Sequence, residues 1–145
     1  MYVGMGERTV VDQLAATIFQ NLFGRFPRLQ FLIVEFGAAW LPHLLKTMDK
    51  IYRLGDHKSR WPYGKPELPS EVFRKHFKIV PFHEDDFSHI AKSVGVDVIL
   101  NGSDYPHPEG LLWPAEMVEE MEGFSESEIY QMMRGNAAKM LGIDA

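Results

Sequence analysis

Val98-Ile99-Leu100-Asn101-Gly102-Ser103-Asp104-Tyr105-Pro106-His107-Pro108 reads as a buried strand running into a tight loop. The apolar run ends where Gly102 permits close approach to the backbone, and an acid follows at the strand's C-terminal tip. In α/β folds that tip is where chemistry is placed. Asp104 is therefore a candidate metal ligand and proton acceptor. Tyr105 and His107 follow on a segment stiffened by Pro106 and Pro108.

Working outward, two more apolar runs resemble this one. Phe31-Leu32-Ile33-Val34 is bounded by Glu35 and the turn residue Gly37, and Phe77, Ile79 and Val80 precede Pro81. Between them lie helical patterns. Val10, Val11, Leu14, Ala15, Ile18, Phe19, Leu22 and Phe23 recur at helical spacing behind a capping-box-like Thr9/Asp12 pair, with Gly24 and Pro27 as the stop. Leu41, Leu44, Leu45, Met48 and Ile51 mark a helix from about Trp40. Glu84, Asp85 and Asp86 suit the N-terminus of a helix carrying Phe87, Ile90, Ala91 and Val94. Pro114 suits the first position of another helix. Ser125 and Glu128 form a capping box, Gly135 interrupts that last stretch, Asn136 restarts it as a cap, and Gly142 ends it.

This alternation predicts an α/β fold with parallel strands joined by right-handed crossovers. The strands lack polar alternation, so both sheet faces are expected to be covered. Three strands leave two open edges, so residues 1–145 read as one consecutive portion of a larger domain. Residues 54–70, rich in proline, glycine and basic side chains, read as a long loop. Its basic residues between 57 and 65 are candidates for holding an anion, against the plainer reading of a solvated loop.

Composition narrows the function. The chain has 145 residues, 46% of them apolar, and a formal charge of -5, so nothing draws it to nucleic acid or to an anionic membrane. Without cysteine it forms neither disulfides nor thiolate metal sites. No apolar run approaches a membrane span and no secretory leader is legible, so a cytoplasmic location is the expectation.

Three passages together resemble the C-terminal part of the amidohydrolase-related family, the metal-dependent (β/α)8 barrel group that includes aminocarboxymuconate semialdehyde decarboxylase-like enzymes. They are Phe26-Pro27-Arg28-Leu29-Gln30-Phe31-Leu32-Ile33-Val34-Glu35-Phe36-Gly37, Leu100-Asn101-Gly102-Ser103-Asp104-Tyr105-Pro106-His107, and Arg134-Gly135-Asn136-Ala137-Ala138-Lys139-Met140-Leu141-Gly142-Ile143. The resemblance implies that the chain is the last three βα units of a TIM-type barrel, incomplete by itself, with Asp104 binding a divalent metal, zinc by expectation. It also implies a His-x-His pair and a further histidine, for which His43, His57, His76, His83, His89 and His107 offer no matching spacing. Glu35 stands where many relatives carry a histidine used in decarboxylation.

The implied parent hydrolyses a small cyclic or aromatic carboxylate or amide through a metal-activated water, with decarboxylation ranked second. Asp104 and Glu35 are the candidate catalytic residues, Asp104 the metal ligand, and Trp40 and His107 the candidate substrate-binding residues. Each has a plainer reading: Asp104 as a turn residue, Glu35 as an ion-pair partner of Arg53, His107 as a solvated loop residue, Trp40 as packing. The chain alone is expected to hold no metal, because catalytic zinc sites use about three protein ligands and one is present. Partners are expected to be a small-molecule substrate and a second copy of the chain. The competing reading is a free-standing, non-catalytic α/β binding or assembly module.

Overall fold

The computed structural model describes residues 5–54 and 67–143, so the basic loop segment 57–65 lies outside the described residues. The chain divides into two compact units, one built from residues 1–31 and 40–77, the other from 32–39 and 78–145.

The first unit is helical. Helices α1 (Met5–Phe19), α2 (Leu22–Arg25), α3 (Leu41–Leu54) and α4 (Pro69–His76) bury Leu14, Phe23, Leu41, Leu45 and Phe73. α1 starts before Thr9, so the expected capping pair lies inside the helix. Asp12 faces Arg8 one turn back instead. Asn21, in a left-handed conformation, accepts the Gly24 N–H through its side chain and so begins α2, where Gly24 was expected only to stop a helix. Asp49 of α3 takes both the N–H and the hydroxyl of Ser70, which fixes the first turn of α4. Phe23, Phe31, Phe73 and Phe77 form an aromatic cluster with ring centroids 5.0–5.9 Å apart in contacting pairs.

The second unit holds the strand ends. Strands β1 (Phe31–Ile33) and β2 (Phe77–Ile79) pair as a small parallel sheet. The Val80 N–H donates to the Ile33 carbonyl on one edge of β2, and the Leu100 N–H donates to the Ile79 carbonyl on the other. The expected third strand is reduced to one parallel bridge, Ile79 to Ile99, because Val96–Val98 winds into a 3-10 turn after Gly95 at φ 91°. The carbonyls of Val96 and Ile99 accept hydrogen bonds from the buried Asn136 side chain, 2.7 and 2.8 Å away. Asn136 is thus no cap. The helix runs on through it, from α6 (Glu126–Tyr130) by a π-helical turn over Gln131–Gly135 into α7 (Asn136–Leu141).

Asp86 caps α5 (Phe87–Val94), the Ser125/Glu128 capping box forms as expected, and Pro114 opens a 3-10 rather than an α-helix, Pro114–Met121. Met117, Met121 and Met132 are buried, filling the core of this unit. The expectation that both sheet faces are covered fails at β1 and just beyond it, where Leu32 and Val34 are 41% and 42% exposed. Among the described residues no helix is long and apolar enough to cross a membrane.

Candidate metal centre

Parallel strands deliver their C-terminal ends to one side of a sheet, and here those ends carry Glu35, the 82–85 turn and Asp104. Both Glu35 (φ 65°) and Asp104 (φ 56°) adopt left-handed backbone, uncommon outside glycine and asparagine. The turns that hold them are tied by specific contacts. Asp85 Oδ2 accepts the N–H of Ala38 at 2.7 Å and of Phe82 at 2.9 Å, joining the segments that follow β1 and β2. The His107 N–H donates to the Asp104 carbonyl, and the Leu111 N–H to that of Ser103, closing the loop after Asp104. Gly110 lies flat on that loop: a Cβ there would stand 2.6 Å from the Ser103 oxygen.

These ties bring together Glu35, Asp104 and His107, with one donor atom of each within 4.8 Å of the other two. His107 Nδ1 is 2.7 Å from Asp104 Oδ1 and 4.0 Å from Glu35 Oε2. Asp104 is the sheltered member, its side chain 15% exposed, against 57% for Glu35 and 61% for His107. The Glu35 carboxyl is held above its ordinary value of 4.5. A hydrogen bond with Asp104 is the main cause, then partial burial and the repulsion of a like charge, with His107 pulling the other way.

The adjoining cavity, about 310 Å³, is lined by Glu35, Glu84, Asp104, Glu109, His83 and Phe82, with Gly102 and Ser103 completing its wall. Among the described residues no lysine or arginine lines it. Two carboxylates beside an imidazole are a donor set that suits a divalent cation. The residues present therefore fit such an ion.

Of the expected site residues, the structure unites Asp104, Glu35 and His107. His107 meets Asp104 directly and is not among the residues lining the cavity. Trp40 belongs to the first unit, where it is half-buried and its carbonyl accepts the Leu44 N–H at the start of α3. Gly102 has a packing role that its sequence position did not suggest, since a Cβ there would lie 2.5 Å from Val80 Cγ1. Sequence reasoning missed Asp85, which it grouped with a helix-start cluster, and Gly110, whose role depends on a loop closure that no local pattern displays.

A family model described as Amidohydrolase matches residues 5–143. The 2-amino-3-carboxymuconate-6-semialdehyde decarboxylase of Dictyostelium discoideum is 25% identical over 143 residues, covering 98% of this chain and 39% of that protein. An amidohydrolase crystal structure from Mycobacterium avium subsp. paratuberculosis K-10 superposes with a TM-score of 0.84 at 37% identity, over 95% of this chain and 34% of its own. A dihydroxybenzoic acid decarboxylase from Polaromonas sp. JS666, solved with bound manganese and 2-nitroresorcinol, shares the fold at TM-score 0.74 and 17% identity, over 94% of this chain and 40% of its own. The chain thus spans well under half the length of each of these proteins.

Proposed function

The chain belongs to the amidohydrolase family, and on that footing we propose that it furnishes the last three βα units of a (β/α)8 barrel enzyme that decarboxylates a small carboxylated ring. The sequence alone ranked hydrolysis first. The decarboxylase among its relatives moves decarboxylation ahead, with hydrolysis as the second reading. The observation that carries the proposal is the meeting of Asp104, the sheltered carboxylate, with Glu35 and His107 at the ends of parallel strands. Family membership favours this enzyme reading over the free-standing module.

Asp104 is the metal-holding carboxylate, and in the hydrolytic second reading it also accepts the proton of the attacking water. A divalent cation, when bound, supplies positive charge that stabilises negative charge developing on the substrate. Asp104 Oδ1 lies 2.7 Å from the His107 imidazole nitrogen. Phe82 offers the cavity an aromatic wall for a planar ring. The loop closure over residues 103–111 keeps Asp104 at the cavity rather than in solvent. Decarboxylation replaces a carbon–carbon bond to CO2 by a carbon–hydrogen bond, so the site must also deliver a proton to carbon. We assign that step to groups outside this chain.

The test is a hybrid in which residues 5–143 replace the matching segment of the Mycobacterium avium protein, assayed for CO2 release from hydroxybenzoates. Turnover is expected to depend on Asp104 and to fall at least about a hundredfold in Asp104→Asn. A hybrid that keeps full activity with the Asp104→Asn substitution overturns the assignment. The 145-residue chain by itself is expected to show no turnover in the same assay.

A further inference from the structure

We infer that this chain alone forms a three-donor site for one oxygen-preferring divalent cation of the Mn2+ class, with Glu35, Asp104 and His107 as its ligands. The inference rests on Asp104 being a metal ligand and extends that reading to two residues whose side chains had been given other roles. It departs from the expectation that the chain by itself holds no metal, because that expectation counted one ligand and the fold brings three within reach of one point.

The donor set is two carboxylates and one imidazole nitrogen. Their mutual distances, all within 4.8 Å, span what an ion bound at about 2.0–2.6 Å would bridge with small side-chain adjustments. Oxygen-rich sets with a single imidazole suit manganese better than a soft or strictly tetrahedral ion, so zinc is the weaker candidate here. The site is a built one. Asp85 pins the segments after β1 and β2 through two backbone N–H groups. Gly110 presses the backbone of Ser103 and Asp104 into place. The cavity beside the cluster adds Glu84 and Glu109 and, among the described residues, sets no lysine or arginine in competition with an ion. Water can fill the coordination positions that three protein donors leave open. For His107 to ligate through Nδ1, its proton resides on Nε2.

Mn2+ uptake by the 145-residue chain, read as loss of the free-ion electron paramagnetic resonance signal, tests this without any turnover. One ion per chain is expected. Glu35→Gln and His107→Ala should each weaken binding by more than the roughly tenfold that loss of an outer-shell partner costs. Asp104→Asn should weaken it most, and Asn tolerates the left-handed backbone at that position, so the variant folds. Glu119→Gln, on the 3-10 segment and neither in the cluster nor lining the cavity, should bind as the parent does. Circular dichroism confirms the fold of each variant. Absence of uptake at millimolar Mn2+, or uptake unchanged in both Glu35→Gln and His107→Ala, overturns the inference. The two readings fail separately. A chain that takes up no Mn2+ while the hybrid enzyme still depends on Asp104 sinks only this site, and a hybrid still active with Asp104→Asn sinks the proposed function.

Discussion

Asp104 has a side chain that lies mostly out of solvent and a backbone that few residues tolerate, and both are consequences of its neighbours. Gly110 is the most exacting of these. A methyl group there would meet the Ser103 oxygen at 2.6 Å and the Asp104 carbonyl carbon and oxygen at 2.8 Å, all of them backbone atoms. Gly110→Ala should therefore push the loop off Asp104, costing about 1–3 kcal/mol as overpacking does. Urea denaturation reads the loss, and NMR of the His107 ring reads its separation from Asp104. Glu35 makes a second prediction. Its carboxyl is raised in the folded chain, mainly by the hydrogen bond with Asp104. The folded state then binds more protons than the unfolded state just above pH 4.5. Its contribution is full below that value and lost as pH rises through the raised one. Glu35→Gln should flatten this part of the stability–pH profile, measured by denaturation in the absence of metal. An unchanged slope would show that Asp104 does not raise the Glu35 carboxyl.

At the scale of elements, Ser125 and Asn136 make a useful contrast. The Ser125/Glu128 box is legible because it joins residues three apart: the Ser125 N–H and hydroxyl both reach Glu128 Oε2, at 2.8 and 2.7 Å. Asn136 carries a sequence cue for a cap and serves something else. It donates to the Val96 and Ile99 carbonyls, on either side of the 3-10 turn where a third strand was expected. Asn136→Leu removes both of these hydrogen bonds, leaving Val96 only the Ile99 N–H, and should cost about 1–3 kcal/mol. Ser125→Ala should cost about 1 kcal/mol. Thermal unfolding of the two variants should rank them in that order. The strand positions themselves were readable from short apolar runs. The collapse of the third to a bridge was not, because it depends on Gly95, a 3-10 turn and a side chain donated from a helix remote in sequence.

For the whole molecule, any ligand that binds only the folded chain raises its stability by mass action. Mn2+ at about a hundred times its dissociation constant should add about 2.7 kcal/mol. A thermal shift that chelator reverses, and that is absent from Asp104→Asn, is the expected result. The α/β alternation, most helix positions and the placement of an acid at a strand end follow from sequence alone, because periodicity and capping act between residues a few positions apart. The meeting of Glu35 with Asp104 and His107 was decided only by tertiary structure. It required adjacent parallel strand ends, left-handed backbone at two acids and the Asp85 and Gly110 contacts, and none of these leaves a pattern in local spacing. Hydrogen bonds and burial along a helix or strand are encoded nearby; the convergence of side chains from separate strand ends is a property of how the chain packs.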